Sequence, residues 1–126
     1  MSYLNDRVLD LGLNVLTTEA NALHICSAEP STYAQATDTL SLGVITTPTV
    51  PVPAAGTPDG RAVTIAPIAT STGEVTATGT ATHYALVDTT GERLLAVVAA
   101  TSPQAVTEGN TWGTTGAITI RIPAVA

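Results

Sequence analysis

The sequence predicts a mainly β protein, namely an antiparallel β-sandwich or barrel-like domain with one N-terminal amphipathic helix and a Pro-rich extended arm. Three observations predict this class. The chain has 126 residues, the size of one domain, so we expect a single domain over residues 1–126. It contains no Phe and one Trp, so branched aliphatic and Thr side chains, which favour strands, must fill the core. Turn signals also recur at short intervals through the second half, as in sandwiches and barrels.

The helix is predicted over residues 4–17. Its apolar residues recur at three- and four-residue spacing and form one stripe of Leu4, Val8, Leu11 and Val15, widened by Leu9, Leu13 and Leu16. Gly12 inside a helix costs roughly 1 kcal/mol relative to alanine, so we expect either compensating packing or a close neighbouring backbone there. The helix packs on a sheet, or its second face meets a neighbouring subunit; the stripe is wide enough for both.

A short strand is predicted next, over Ala22 to Ser27, with Leu23 and Ile25 on one face and His24 and Cys26 on the other. Residues 30–43 are rich in Ser, Thr and Ala and have no periodic pattern, so no element is assigned to them.

Residues 44–60 are predicted to form the Pro-rich arm or a long loop. Proline fixes φ and removes a backbone donor, which excludes a central strand and favours extended chain. This segment is either a surface connection or an arm that lies on a neighbouring subunit. In the second case the subunit-contact residues are Val44, Ile45, Pro48, Val50, Pro51, Val52 and Pro53. Deletion of Thr47 to Thr57 is accordingly expected to leave the domain folded and to weaken attachment.

Antiparallel strands are predicted over residues 61–123. The segments are Arg61 to Ile68, Gly73 to Ala77, Thr80 to Val87, Arg93 to Ala100, Gln104 to Val106 after a break at Ser102-Pro103, and Ala117 to Ile122. The third and fourth form a hairpin through Asp88 to Glu92, in which Gly91 is expected to take the positive φ of the turn. Pro123 ends the last strand.

Charge excludes several classes of partner. The formal net charge is −6, and the four basic residues are scattered arginines. A nucleic-acid-binding protein needs a basic stripe, and so does a protein that binds an anionic membrane, so neither partner is expected.

No stretch of about 18 apolar residues and no signal peptide is visible, which predicts synthesis in the cytoplasm. Cys26 is the only cysteine, so it has no intramolecular disulfide partner and is expected to be a buried thiol.

No catalytic, cofactor or metal site is predicted. A metal at His24 and Cys26 would need His83 on an adjacent strand as its third ligand. The alternative is that His24 and Cys26 line the less apolar face and that His83 caps a strand through a backbone contact. No nucleophile elbow is present, and Asp88 and Glu92 are interpreted as solvated turn residues. We therefore predict a protein that is not an enzyme; a small hydrolase or metal-dependent enzyme is the competing class.

Several segments come in an order that resembles one family. These are LHICSAEP (Leu23 to Pro30), RAVTI (Arg61 to Ile65), ATHYALVD (Ala81 to Asp88), GERLLAV (Gly91 to Val97) and SPQAVTEG (Ser102 to Gly109). Together with the preceding helix they resemble the small structural, head- or tail-associated virion proteins of tailed bacteriophages. The resemblance covers most of the chain except the Pro-rich arm.

The resemblance implies assembly into a virion after synthesis in the host bacterial cytoplasm. The leading hypothesis is a capsid decoration or cement protein that binds the major capsid protein, or other virion proteins, on the outer surface. The resemblance also suggests a homo-oligomer, with a trimer as the expected state; composition alone does not distinguish a trimer from a monomer that orders only on the particle. The alternative is a minor tail, neck or head-fibre component that acts as a binding module.

Overall fold

The protein is mainly β, with antiparallel sheets, as predicted. The computed structural model describes residues 6–46, 48–56, 60–114 and 116–122, with side chains from residue 12 onward except at 101. Within these ranges the elements, in chain order, are α1 (Asp6–Glu19), β1 (Ala22–Cys26), a π-helical turn (Gln35–Thr39), β2 (Ser41–Thr46), β3 (Ala54–Ala55), β4 (Arg61–Ile65), β5 (Ile68–Val75), β6 (Gly79–Asp88), β7 (Arg93–Val106), β8 (Thr111–Thr114) and β9 (Ile118–Ile122).

The strands form two sheets. The larger sheet has six strands in the order β7-β6-β1-β2-β5-β8, and the smaller has three in the order β3-β4-β9. Every pair of neighbours is antiparallel. Side chains from both sheets and from α1 share one buried cluster that includes Leu13, Leu16, Leu23, Ile45, Val63, Ile65, Val75, Leu86, Trp112 and Ile118.

Strand β1 is buried on both faces. Leu23 and Ile25 enter the main cluster, and Leu23 lies opposite Ile45 of β2 and Leu86 of β6. The other face forms a second cluster, which consists of Ala22, Cys26, Ala36, Ala85 and Val87. The π-helical turn contributes Ala36 and therefore covers this face. The region to which the sequence assigned no element thus provides the cover for the central strand.

Helix α1 begins at Asp6 and ends at Glu19; predicted positions 4 and 5 lie outside the described residues. Leu13 and Leu16 face the core, whereas Val15, which the spacing placed on the apolar stripe, is 36 % exposed. A Cβ built on Gly12 would lie 3.7 Å from Cδ1 of Ile122, an ordinary contact. Among the described residues, no helix combines the length and apolar content needed to cross a bilayer.

Strand β2 corrects the predicted start of the arm. Ser41–Thr46 pairs with β1 on one side and β5 on the other, so Val44 and Ile45 belong to a central strand. The first proline of the predicted arm is Pro48, so the backbone donors of residues 44–46 are free to join the sheet. The predicted arm therefore began too early in the chain, because residues 44–46 belong to β2.

Strand β7 corrects the predicted break at Ser102-Pro103. The register passes from His83↔Ala99 to Ala81↔Gln104, so residues 100–103 form a bulge in one continuous strand. A bulge leaves residues outside the hydrogen-bond ladder, which is where a proline costs no ladder bond. Strand β5 is also longer than the predicted segment at Gly73 to Ala77, and β8 was not predicted.

The β6–β7 hairpin is present, but its turn differs from the predicted one. Glu92 has the positive φ, 54°, and Gly91 does not. The Asp88 carboxylate oxygen Oδ1 accepts hydrogen bonds from the backbone N–H groups of Thr90 and Gly91, at 3.0 and 3.1 Å. A Cβ on Gly91 would lie 2.8 Å from Oδ2 of Asp88, so glycine supplies space there rather than an unusual φ.

Candidate protein-interaction surface

The structure divides the seven predicted contact residues into two groups. Val44 and Ile45 lie in β2, where Ile45 is 2 % exposed and belongs to the main core, while Val44 packs against the second cluster. The other five, from Pro48 to Pro53, lie in the segment of residues 48–56. This segment, which we call the Pro-rich segment, is therefore the part of the predicted surface that remains outside the sheet before β3.

The Pro-rich segment is attached to the domain at several points. Val50 is 9 % exposed and packs in the main core. The Thr17 hydroxyl donates a hydrogen bond to the carbonyl oxygen of Pro51 at 2.8 Å. At the end of the segment, β3 pairs with β4, and the N–H of Gly56 donates to the carbonyl of Gly60 at 2.9 Å. The segment is therefore attached to the domain at Val50, at Pro51 and again from β3 to Gly56.

Val52 is the most exposed large hydrophobic side chain among the described residues, at 69 %. It stands between Pro51 and Pro53, whose rings fix φ on both sides of it. The attachment of Val50 and Pro51 just before it holds the backbone in place. Val52 is therefore an apolar group presented to solvent on a backbone that is already ordered.

A neutral groove of about 600 Å³ runs beside this segment. Pro48, Thr49 and Pro51 line one side of it, and the connection between β4 and β5, including Pro67, lines the other. The surface near Val52 is thus formed by proline rings, aliphatic groups and hydroxyls, a composition that suits contact with another uncharged protein surface.

His24, Cys26 and His83 lie on the same face of the larger sheet. Cys26 is directly opposite His83 on β6, and His24 is two residues away on β1, so alternation along the strand puts all three side chains on one side. His24 Nδ1 and Ser41 Oγ share a hydrogen bond of 2.8 Å. His83 Nδ1 bonds to the Thr82 hydroxyl at 2.9 Å, a side-chain contact rather than the predicted backbone one.

Burial controls the chemistry of this face. It lowers the pKa of His24 by desolvating the charged form, and it raises the pKa of the Cys26 thiol to about 11. The thiol points at the carbonyl of Ala36, 3.6 Å away. Across the described ranges, no group of three or more His, Cys, Asp and Glu side chains is placed to hold a metal ion.

Asp88 and Glu92 differ in their surroundings. Asp88 is 7 % exposed and is held by the two turn N–H groups, so its interpretation as a solvated residue is wrong. Its carboxylate shapes the turn. Glu92 is exposed, as predicted.

A second, larger groove was missed in the sequence because β8 was not predicted. It has a volume of about 770 Å³ and lies among the C-terminal half of β7, β8 and the start of β9, with Tyr84 and Trp112 in its lining. The presence of a single Trp in the chain was the one signal that marked this region.

The chain matches no protein-family model, no curated protein and no solved structure.

Proposed function

We propose that this protein is a non-enzymatic structural component of a bacteriophage virion, and that it acts as a decoration or cement protein on the outer capsid surface. The observation that carries the binding part of the proposal is the presentation of Val52, 69 % exposed, on a segment fastened by Val50 and Pro51. The virion part is supported by the resemblance of LHICSAEP, ATHYALVD and SPQAVTEG to phage structural proteins.

An ordered apolar segment suits a cement protein for an energetic reason. Binding costs entropy when a flexible segment must be immobilised, and a segment that is already attached avoids much of that cost. Burial of one Val side chain contributes about 1.5–2 kcal/mol. A contact of this size is weak in one copy, but it becomes effective when many copies occupy repeated sites on a particle.

The charge distribution favours the same function. The chain carries a formal charge of −6, yet residues 46–56 contain no ionisable side chain. The acidic remainder favours solubility of the free protein, while the neutral segment meets its partner without desolvating a charge. Attachment through this segment is therefore expected to depend little on salt concentration.

The finer architecture belongs to the same proposal. We interpret the two sheets and their shared core as a sandwich-like domain on which the amphipathic helix α1 and the Pro-rich segment pack. The partner is the major capsid protein or another virion protein, and a homotrimer is the expected assembly. On this proposal the protein is made in the cytoplasm of the bacterial host and resides in the virion.

The copy number per particle tests the capsid-wide role. Quantitative mass spectrometry of purified particles of the encoding phage should give this chain in a ratio to the major capsid protein that corresponds to hundreds of copies. A few copies per particle would replace the proposal with a minor tail, neck or head-fibre role. Complete absence from particles would overturn both.

A matched pair of variants tests the surface. Val52→Asp places a charge on the Pro-rich segment, and Ala28→Asp places one at another exposed position after β1. Both should fold, because both sites are exposed. Val52→Asp should reduce binding to particles that lack the protein by tenfold or more, and Ala28→Asp should bind normally. Equal binding of the two variants would exclude the Pro-rich segment as the contact.

A further inference from the structure

Strands β7, β8 and β9 follow one another in the chain, yet in the part of the chain that the structure describes none of them pairs with another of the three. Strand β7 pairs with β6, β8 with β5, and β9 with β4. Each is therefore the last strand of its sheet within the described residues, and its outer side presents backbone N–H and C=O groups that no strand ladder uses.

The larger sheet is curled so that its two edges approach each other. Strands β7 and β8 are at its opposite edges, but residues 107–110 alone connect them. In a flat sheet, five spacings of about 4.8 Å would separate the edges by about 24 Å. The connection from Val106 to Thr111 spans at most about 18 Å even when fully extended. The sheet must bend, and the groove of about 770 Å³ lies where its edges face each other beside β9.

The groove has a neutral, hydroxyl-rich lining. Thr, Ser, Gln and Asn side chains, with Tyr84 and Trp112, account for its polar groups. None of the described residues that line it is Asp, Glu, Lys or Arg. Trp112 is 6 % exposed, and its Nε1 donates to the carbonyl of Glu74 at 3.2 Å, which fixes the ring. A charged side chain that entered here would lose hydration and gain no counter-charge.

We infer that this groove accepts an extended, uncharged polypeptide strand from a neighbouring protein. Three strand edges offer main-chain donors and acceptors, and strand addition is the binding mode that uses such edges. The neutral lining selects an occupant with alternating apolar and hydroxyl side chains and no charge. The inference rests on the proposed function only in taking the strand from a neighbouring protein of the assembly, and the site is distinct from the Pro-rich segment.

Trp112 supplies the measurement, because it is the only Trp in the chain. The probe is a capped octapeptide of alternating Val and Thr, kept soluble by a polyethylene glycol tail. Titration of the full chain with this peptide should change the Trp112 fluorescence in a saturable manner. The same peptide with alternate amides N-methylated cannot form a strand ladder, and it should bind at least tenfold more weakly.

A variant pair assigns the binding to the groove. Ala105 lines the groove and is exposed on β7, while Ala66 is exposed in the connection between β4 and β5 and does not line it. Ala105→Glu should weaken peptide binding at least tenfold, and Ala66→Glu should leave it unchanged. Circular dichroism of both variants verifies folding. If Ala105→Glu does not fold, Ala105→Gln, which adds bulk without charge, takes its place with the same expected loss.

Three results would overturn the inference. They are an unchanged Trp112 signal, equal binding of the N-methylated peptide, and saturable binding of a neutral dextran oligosaccharide instead of the peptide. Each would leave the proposed function intact, because that proposal is tested by copy number and by Val52→Asp.

Discussion

The Thr17 hydroxyl donates a hydrogen bond of 2.8 Å to the carbonyl oxygen of Pro51, and this bond joins the end of helix α1 to the Pro-rich segment. The residue before Pro51 is in the core, and the residue after it is in solvent: Val50 is 9 % exposed and Val52 is 69 % exposed. The two valines that flank this anchored proline therefore differ: Val50 has a role in stability, and Val52 has the contact role that we propose.

The first prediction separates these roles with the same substitution. Val50→Ala removes two buried methyl groups and leaves a small cavity, so it should lower the free energy of unfolding by about 2 kcal/mol. Val52→Ala should change it by less than about 0.5 kcal/mol, because surface substitutions rarely do more. Urea denaturation followed by Trp112 fluorescence measures both. Equal effects of the two substitutions would show that the segment is not held as described.

The second prediction replaces an expectation drawn from the sequence. Deletion of Thr47 to Thr57 was expected to leave the domain folded, but it would remove Val50 from the core and β3 from its pairing with β4. We now expect the deletion to lower the midpoint of urea unfolding markedly, even when a short Gly-Ser linker closes the gap. A midpoint equal to that of the full chain would restore the original expectation.

Local patterns in the sequence predicted the local elements. The three- and four-residue spacing of apolar residues predicted a helix that overlaps α1, and alternation predicted β1, β4, the β6–β7 hairpin and β9. These signals depend on neighbours within one element, so a single sequence contains them. The location of Leu13 and Leu16 in the core, with Val15 outside, depends on where the helix packs, and only the tertiary structure fixes that.

The missed features depend on distant contacts. Strand β1 is buried on both faces because the turn at 35–39 covers its second face, and nothing near His24 or Cys26 in the sequence announces this cover. Pro103 is tolerated in β7 because a bulge removes its region from the ladder with β6. The groove is formed by β7, β8 and β9 together, so it could be predicted only from the relative positions of all three strands. Val44 and Ile45 were assigned to the arm and not to a strand, because the prolines that follow them made residues 44–60 as a whole look unsuited to a sheet.

The third prediction compares Gly12, which has room for a Cβ, with Gly73, which does not. A Cβ on Gly12 would make an ordinary 3.7 Å contact with Ile122, so Gly12→Ala should raise the free energy of unfolding by about 1 kcal/mol through helix propensity. A Cβ on Gly73 would lie 2.7 Å from Cδ1 of Trp112 and must displace the ring. Gly73→Ala should therefore destabilise the protein by about 2 kcal/mol. Thermal unfolding shows whether each substitution raises or lowers stability. A loss of stability in Gly12→Ala would contradict the described helix packing.

The fourth prediction concerns the reactivity of Cys26. Its pKa of about 11 leaves about one molecule in a thousand as thiolate at pH 8, and the side chain is fully buried. Iodoacetamide at pH 8 should therefore leave the folded protein unlabelled over hours. The same reagent in concentrated urea should label Cys26 completely, which serves as the control. Rapid labelling of the folded chain would show that the cover formed by the turn at 35–39 opens readily.

The fifth prediction concerns stability against pH and follows from His24. Burial lowers its pKa in the folded state below the ordinary value of 6.5, so the unfolded chain takes up a proton more readily than the folded one. Stability from this residue is therefore complete above about pH 6.5 and falls as the pH decreases towards the folded pKa. The free energy of unfolding should be flat from pH 8 to about 6.5 and then decline, before most carboxylates protonate below about pH 5.

The decline should disappear in His24→Gln and persist in His83→Gln, whose side chain is only half-buried. The difference between each variant and the parent protein cancels the shared carboxylate contribution, so an identical decline in all three proteins would exclude His24 as the source.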